Sequence, residues 1–527
     1  MPRITIDGRE VEVAGGATIL DAAQKLGIEI PTMCFLQGYK PSTSCMICVV
    51  KVNGSANLVP ACGAIVKDGI QVDSNTEEVR EARKAALELL LSDHVGDCMG
   101  PCQMACPAHL EIPLMIRQIE AGQLHEAIAT IKKDIPLPAV LGRICPKPCE
   151  KVCRRAVSEE AISICLLKRF VADYDLNSEN PFVPVRKPIK GKRVAVVGAG
   201  PAGLATAYYL WQQGFDCVVF DDHDEPGGML LSAVPEDRLP RDVVRKEAAL
   251  IIEALGVEFY GGVKLGSSIS LQELRKDFDA VFVAIGELKQ GDAESFGLAA
   301  GKDGIKVDSG TYATNLDGVF AGGDAVRRRK ITVRAVADGK EAAASIAQYL
   351  SGQEVVGEPR PFNIHIGQLK DGEIEVFVDS AAKTARVKPS RPDGGYTNEE
   401  SSQEALRCLG CDCRKAPSCK LRQWADAYKA RPTRYKAERR LFIRRAEHPT
   451  VVYEPGKCID CGFCIQIAAQ AREQLGLTFI GRGFDVRMAV PFGHSLAEGL
   501  KTCAASCVEA CPTGALAFKD RTKSDCR

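Results

Sequence analysis

The chain has 527 residues, 46% hydrophobic and 26% charged, with 68 basic and 68 acidic side chains and a formal net charge of zero. That balance gives no case for a nucleic-acid binder or a protein held to an anionic membrane by charge, and no apolar run reaches the roughly 18–20 residues of a spanning helix. The length predicts roughly three to five domains. The stretch from Met1 to Asp7 has no signal-peptide core, so a soluble, cytoplasmic chain is expected. Its 23 cysteines would be surplus as structural thiols in a reducing compartment. Most stand two or three residues apart, which points to metal ligation. Cys217, inside a predicted strand, and Cys526, in the tail, read as plain thiols.

Residues 1–75 open with a predicted hairpin, Ile4 to Ile6 and Val11 to Val13 around Asp7-Gly8, followed by a helix from Thr18 to Leu26. Cys34, Cys45, Cys48 and Cys62 follow with the spacing C-x10-C-x2-C-x13-C. Several ligands in one loop and one further along suit a [2Fe–2S] cluster. Zinc would more often show two close pairs. With Ile30-Pro31-Thr32 before the first cysteine and Ala61-Cys62 at the last, the stretch resembles the N-terminal ferredoxin domain of the complex I large iron–sulfur subunit and of related hydrogenase subunits. The resemblance implies a β-grasp-like [2Fe–2S] domain.

Residues 76–190 begin with an amphipathic helix, Val79 to Ser92, with Ala82, Ala85, Ala86, Leu89 and Leu90 on its apolar face. His94, Cys98, Cys102 and Cys106 come next, then Cys145, Cys149 and Cys153, then Cys165 alone. Ile112 to Ile131 reads as helical. Cys102-x3-Cys106-Pro107, Gly142-Arg143-Ile144-Cys145-Pro146 and Cys149-Glu150-x2-Cys153 resemble the helical domain of the glutamate synthase small subunit and dihydropyrimidine dehydrogenase. That resemblance implies two [4Fe–4S] clusters, one on Cys98, Cys102 and Cys153 and one on Cys106, Cys145 and Cys149. The family's first cysteine is missing. His94 is nearest its place, as ligand or as capping residue, and Cys165 lies near the second cluster's remaining ligand or is a buried thiol. The composition from Asp173 to Lys190 is that of a linker.

In residues 191–352, Lys192 to Val197 reads as a buried strand leading into Gly198-Ala199-Gly200-Pro201-Ala202-Gly203 and a helix. In that context G-x-G-x-x-G is a dinucleotide-binding turn. The helix opening at Pro201 and Ala202 would turn free N–H groups towards a pyrophosphate. Asp221, after a second strand, stands where a ribose-binding carboxylate belongs, and Gly227-Gly228 follow. The segment around Arg238, Ala233 to Pro240, resembles the glutamate synthase family at the same point. Leu316 to Asp324 resembles the element that closes the FAD site in two-dinucleotide flavoproteins. The resemblance implies FAD, with Gly323 and Asp324 at its ribityl chain or pyrophosphate and the helix from Thr332 and Val333 facing the flavin. That family inserts an NAD(P)-binding domain between the strand ending at Gly286 and Asp317. Here a gap of about 30 residues carries no second strand–glycine–helix unit, so the chain is expected to lack its own nicotinamide site.

Residues 353–440 are read as a small β extension, from Glu358 to Ser390, then a helix from Asn398 to Ala405 and the group Cys408, Cys411, Cys413 and Cys419. A four-iron cluster is the leading reading of that group and zinc the alternative. Lys415, Lys420 and Arg422 are expected to lower its thiol pKa values, and Arg422 to Arg445 to form a solvated helical connector. In residues 441–527, Cys458, Cys461, Cys464 and Cys511 fit one [4Fe–4S] cluster in a ferredoxin-like fold, whose last ligand is distant. Gly481 to Thr513 resembles the complex I subunit again. Cys503 and Cys507 are left over.

The expectation is a multidomain α+β and α/β chain with a [2Fe–2S] cluster, about four [4Fe–4S] clusters and FAD. No residue set reads as catalytic on a substrate. The function expected is an electron-transfer subunit of a larger oxidoreductase, of an anaerobe, linking a catalytic partner to ferredoxin or another carrier. The partner would be of hydrogenase, formate dehydrogenase, aldehyde oxidoreductase or NAD(P)H-oxidising type. A free-standing NAD(P)H-dependent flavin oxidoreductase and a non-enzymatic zinc scaffold are the alternatives.

Overall fold

The computed structural model describes residues 1–435 and 438–519; Cys526 lies outside them. At the N-terminus, β1 (Arg3–Ile6), β2 (Arg9–Glu12), β3 (Val49–Val52), β4 (Leu58–Pro60) and β5 (Gln71–Asp73) form a mixed sheet of order β2-β1-β5-β3-β4. Helix α1 (Ile19–Lys25) starts in a capping box, with Thr18 accepting from the Asp21 amide and Asp21 returning the bond. Its Ile19, Leu20, Ala22 and Ala23 seal the core with Ile4 and Ile6.

Helix α2 (Glu77–Ser92) corrects its expected apolar face. Leu89 is exposed, whereas Arg83 and Glu88 are buried. Arg83 donates to the Val49 carbonyl and the Tyr428 hydroxyl, and Glu88 accepts from the Arg431 amide and Arg434. The helix is therefore clamped between the N-terminal sheet and the C-terminal part of the chain.

Helices α3 (Pro101–Ala105), α4 (Ile112–Glu120), α5 (Leu124–Lys132), α6 (Pro138–Ile144), α7 (Pro148–Lys151) and α8 (Ile164–Leu176) follow. The break between α4 and α5 falls at Gly122, whose φ of +69° ends the first helix. Their core continues without interruption into the next unit.

That unit is a parallel sheet. Strands β6 (Arg193–Val197), β7 (Asp216–Phe220), β8 (Glu258–Tyr260), β9 (Ala280–Val283) and β10 (Val319–Ala321) lie in the order β10-β9-β6-β7-β8. Helices α9 (Pro201–Gln212), α10 (Met229–Ser232), α11 (Arg241–Ile252), α12 (Leu271–Asp277), α13 (Asp292–Ser295) and α14 (Thr332–Leu350) accompany it. Cys217 is buried in β7. Between Gly286 and Asp317 lie the short α13 and residues of two isolated bridges, Ala300 to Ile305 and Ala313 to Phe320, with no strand–helix–strand unit among the described residues.

The β extension expected from Glu358 to Ser390 is not formed. Its apolar residues build the short helix α15 (Glu373–Val378), whose Phe377 ring stacks on Phe442 at 4.4 Å. Tertiary packing overrides the alternating pattern here. Helix α16 (Asn398–Ala405) begins at its Thr397–Glu400 capping box. Among the described residues, the connector expected to be helical and solvated is helical only in α17 (Lys420–Ala427). Beyond it, arginines leave the helix to neutralise buried carboxylates: Arg434 pairs with Glu88, Arg439 with Glu373, and Arg444 with Glu454, the last pair buried on both sides.

The C-terminal unit contains β11 (Val451–Tyr453), α18 (Phe463–Gln470), β12 (Thr478–Ile480), β13 (Arg487–Ala489), α19 (Leu496–Gly499), α20 (Ala504–Ala510) and β14 (Leu516–Phe518). Strand β11 pairs with β14, and β12 with β13, both antiparallel. No helix among the described residues is long and apolar enough to cross a membrane.

Candidate cofactor sites

The loop from α1 to β3 and the turn after β4 bring Cys34, Cys45, Cys48 and Cys62 together, all buried. The Cys48 and Cys62 sulfurs lie 3.4 Å apart, and Cys34 hydrogen-bonds Cys45 and Cys62. Hydrogen bonds from Cys45 hold the Cys34 thiol down, and one from Cys62 does the same for Cys48; Cys45 and Cys62 are pushed up in return. Two thiol pairs side by side match a two-iron cluster, which takes two thiolates on each iron.

A second group forms where α3, α6, α7 and α8 end or begin. Cys106, Cys145, Cys149 and Cys165 line one cavity of about 310 Å³ with Lys168 and Val333. Cys165, a lone cysteine in the sequence, hydrogen-bonds Cys145 and Cys149. Burial opposes the charge of Lys168, yet the four thiols around it outweigh burial and raise its pKa.

The remaining cysteines of this region do not group as the sequence implied. Cys98 has Cys413 among its electrostatic neighbours, and Cys102 has Cys153, Cys408 and Cys411. Burial first, and then Cys408, Cys411 and Cys153, push the Cys102 thiol well up, so these four are mutual neighbours. Cys98 instead neighbours Cys413, whose amide donates to the Cys98 carbonyl at 3.3 Å, and Cys419 neighbours both. Asp412 lies between Cys411 and Cys413, and its buried carboxylate takes a two-pronged bond from Arg117 at 2.8 and 2.9 Å. At Cys408, Cys411 and Cys419 burial outweighs the lowering effect of nearby arginines. Burial pushes Cys419 up to about 12, while Lys415 is spent on the Val508 and Cys511 carbonyls. His94 is half-buried beside Lys457 and Glu454, and burial pushes its ring down to about 3.

Cys458, Cys461, Cys464 and Cys511 line a cavity of about 390 Å³. Cys507 lines it too, and its sulfur lies 3.9 Å from that of Cys503.

The groups stand in a row. Cys34 acts on Cys461, and the Ser42 hydroxyl donates to the Cys461 carbonyl. Cys511 acts on Cys419, and the Lys420 amide donates to the Pro512 carbonyl. The 98/413/419 set touches the 102/153/408/411 set through Cys411-Asp412-Cys413. Helices α3 and α7 then link that set to Cys106 and Cys149, and Val333 stands at the far end.

Val333 opens α14, which packs on α9 at the glycine turn. Gly198 has a φ of +108°, and a β-carbon there would strike the Ala284 carbonyl. One on Gly203 would strike the Gly198 carbonyl, whereas one on Gly200 would meet nothing within 4 Å. The turn is closed to side chains at Gly198 and Gly203 and open at Gly200, the cradle a pyrophosphate needs. Gly227 donates to the Ala199 carbonyl at 2.9 Å, Gly228 backs onto Gly200, and Gly323 backs onto Ala202. Asp221 accepts from the Ala199 amide at 2.6 Å and from the His223 amide at 2.9 Å, so it braces the turn. Asp324 accepts from the Arg329 and Lys330 amides. Thr332 is half-buried, Gly286 follows the strand that abuts Gly198, and Arg238 is exposed.

Sequence reasoning passed over the buried cations at the cysteine groups. Lys168 lies against one, Arg154 hydrogen-bonds Cys411 in another, and Lys457 lies beside Cys413. Each is within three residues of a cysteine in sequence, and that adjacency was the available signal.

Among the described residues, the trio of potential ligand atoms packed within 4.8 Å is Asp221, Asp222 and His223, not three cysteines.

Residues 2–77 match the 2Fe-2S iron–sulfur cluster binding domain family. Residues 74–180 match dihydropyrimidine dehydrogenase domain II, 4Fe-4S cluster, and residues 196–253 an NAD(P)-binding Rossmann-like domain. The chain is an iron–sulfur protein. Its homologues are glutamate synthase small-chain-like oxidoreductase subunits. It is 43% identical over 191 residues to the NADPH-Fe(3+) oxidoreductase subunit beta of Geobacter sulfurreducens, which is 36% of this chain and 28% of that one. It is 39% identical to the NADP(+)-dependent formate dehydrogenase subunit beta of Moorella thermoacetica, over 36% of this chain and 29% of the other. The glutamate synthase [NADPH] small chain of Bacillus subtilis is 36% identical over 37% and 42% respectively. The matched stretch thus spans under half the length of each of these relatives.

Proposed function

We propose that this chain is the electron-transfer subunit of a multi-subunit oxidoreductase, binding FAD at the glycine turn and iron–sulfur clusters along the row of cysteine groups. The observation that carries the reading is the row itself, which runs from the N-terminal thiols to the mouth of the dinucleotide turn. Clusters of this kind move single electrons, and a flavin converts between one- and two-electron steps.

The residues do the positioning. Gly200 and the start of α9 would receive the pyrophosphate, Asp221 the ribose, and Gly323 and Asp324 the chain leading to the flavin ring. Cys34, Cys45, Cys48 and Cys62 would hold the two-iron cluster, and Cys458, Cys461, Cys464 and Cys511 a four-iron cluster. Cys106, Cys145, Cys149 and Cys165 would hold another, and His94 is the candidate to complete the set of Cys98, Cys413 and Cys419. The unit between Gly286 and Asp317 is too short for a nicotinamide domain, so reducing equivalents would enter or leave through a partner. The relatives' names point to partners of formate dehydrogenase or NADPH-oxidising type, with ferredoxin as a second carrier and the cytoplasm as the setting.

The test is an anaerobic titration of the purified single chain. Dithionite is expected to bleach the flavin and clusters while NADH and NADPH do not. Rapid bleaching by either nucleotide alone would favour the second reading, a free-standing flavin reductase that uses the Rossmann-like turn for the nicotinamide cofactor.

A further inference from the structure

We propose that Cys408, Cys411, Cys413 and Cys419 serve two clusters rather than one. Cys408 and Cys411 would complete a four-cysteine site with Cys102 and Cys153; Cys413 and Cys419 would belong with Cys98 to a neighbouring one. This rests on the iron–sulfur reading above and goes beyond it in assigning ligands that lie about 300 residues apart in sequence.

The contacts divide the segment at Asp412. On one side, the Arg154 guanidinium, next in sequence to Cys153, bridges the Asp97 carboxylate and the Cys411 sulfur. The Arg155 guanidinium donates to the Arg407 carbonyl at 2.7 Å, fixing Cys408 over the same helix turn. A β-carbon on Gly100 would sit 3.6 Å from the Cys102 sulfur and 3.9 Å from the Asp412 β-carbon, so Cys102 and this segment share one wall. On the other side, the Cys413 amide is bonded to the Cys98 carbonyl, and the Cys413 sulfur abuts Gly514, in the C-terminal unit. Cys419 precedes Lys420, whose amide bonds to Pro512.

The ligand arithmetic agrees. A four-iron cluster takes about four ligands. One cluster on the Cys408–Cys419 segment would strand Cys98 and leave Cys102 and Cys153 two ligands short. Division gives Cys102, Cys153, Cys408 and Cys411 a full set of four and leaves Cys98, Cys413 and Cys419 one ligand short, the place for which His94 is the candidate. It also accounts for the one-residue step between Cys411 and Cys413, which is awkward on a single cluster and natural where the chain passes between two. Each half has its own buried cation, Arg154 on one side and Lys457 on the other. The segment is then a clip joining the helical region to the C-terminal ferredoxin-like unit.

The test uses the full chain, loaded anaerobically with iron and sulfide, with iron analysis and low-temperature EPR after dithionite reduction. Cys408→Ser/Cys411→Ser is expected to lose about four irons, Cys413→Ser/Cys419→Ser a different four or so, and the fourfold variant about eight. Cys102→Ser/Cys153→Ser should erase the same EPR signal as the first pair, and Cys98→Ser the same signal as the second. A fourfold variant that loses only about four irons, with the signals of Cys98→Ser and Cys102→Ser/Cys153→Ser both distinct from it, overturns the division. The [2Fe–2S] signal reports that a variant has folded. Where a double variant loses it, the single variants Cys411→Ser and Cys413→Ser decide, since division requires them to alter different signals and a shared cluster requires the same one. A native chain that takes up no iron overturns the iron–sulfur reading itself, an outcome separate from a wrong division.

Discussion

The hydroxyl of Ser42 donates to the carbonyl of Cys461 at 2.6 Å, across 419 residues of sequence. It fastens the [2Fe–2S] loop directly to the first turn of the C-terminal ferredoxin-like unit, and Cys34 and Cys461 are electrostatic neighbours as a result. Two reduced, paramagnetic clusters held this closely must couple magnetically. The [2Fe–2S] EPR signal of the fully reduced chain is expected to be broadened and fast-relaxing, and to sharpen in Cys461→Ser. Identical line widths in the two proteins would contradict the adjacency.

The glycine turn separates folding from binding. Gly200 has an ordinary φ of −76° and open space at its β-position. Gly200→Val is therefore expected to keep stability within about 1 kcal/mol while weakening flavin binding at least about tenfold. Gly203→Val drives a side chain into the Gly198 carbonyl and is expected to cost about 1–3 kcal/mol or more. Flavin-to-protein ratios and thermal unfolding midpoints of the two variants check this; flavin retained by Gly200→Val would remove the pyrophosphate from this turn.

Lys168 is a buried cation facing Cys106, Cys145, Cys149 and Cys165. A positive charge favours the reduced, more negative state of a cluster bound there. Lys168→Met is expected to lower that cluster's midpoint potential by roughly 50–100 mV, with little change at the other centres. A redox titration followed by EPR reads it, and an unchanged or raised potential would contradict the placement.

What the sequence made legible was local. The turn from Gly198 to Gly203 is contiguous, so its strand, helix and glycines could be read in one pass, and the same holds for Cys34 to Cys62 and for the helix from Asn398 to Ala405. What stayed hidden depended on distant segments meeting. Nothing near Cys408 shows that Asp412, between Cys411 and Cys413, is held by Arg117. Ile374, Val376 and Val378 alternate like a strand, yet Phe377 finds Phe442 and the segment coils into a helix. The charge run from Arg434 to Arg444 looks solvated until Glu88, Glu373 and Glu454 are seen buried beneath it. Buried carboxylates on other elements leave no mark on the arginines' own sequence.

The central claim is that electrons pass along the row of cysteine groups between the dinucleotide turn and the N-terminal thiols. Flash photoreduction of the bound flavin, with the arrival of electrons at the [2Fe–2S] cluster followed in time, tests it most directly when wild type is compared with Cys102→Ser/Cys153→Ser. Interrupting the middle of the row is expected to slow arrival at least about tenfold, a barrier of some 1.4 kcal/mol or more. An unchanged rate in the interrupted variant would show that electrons take another route and would contradict the account.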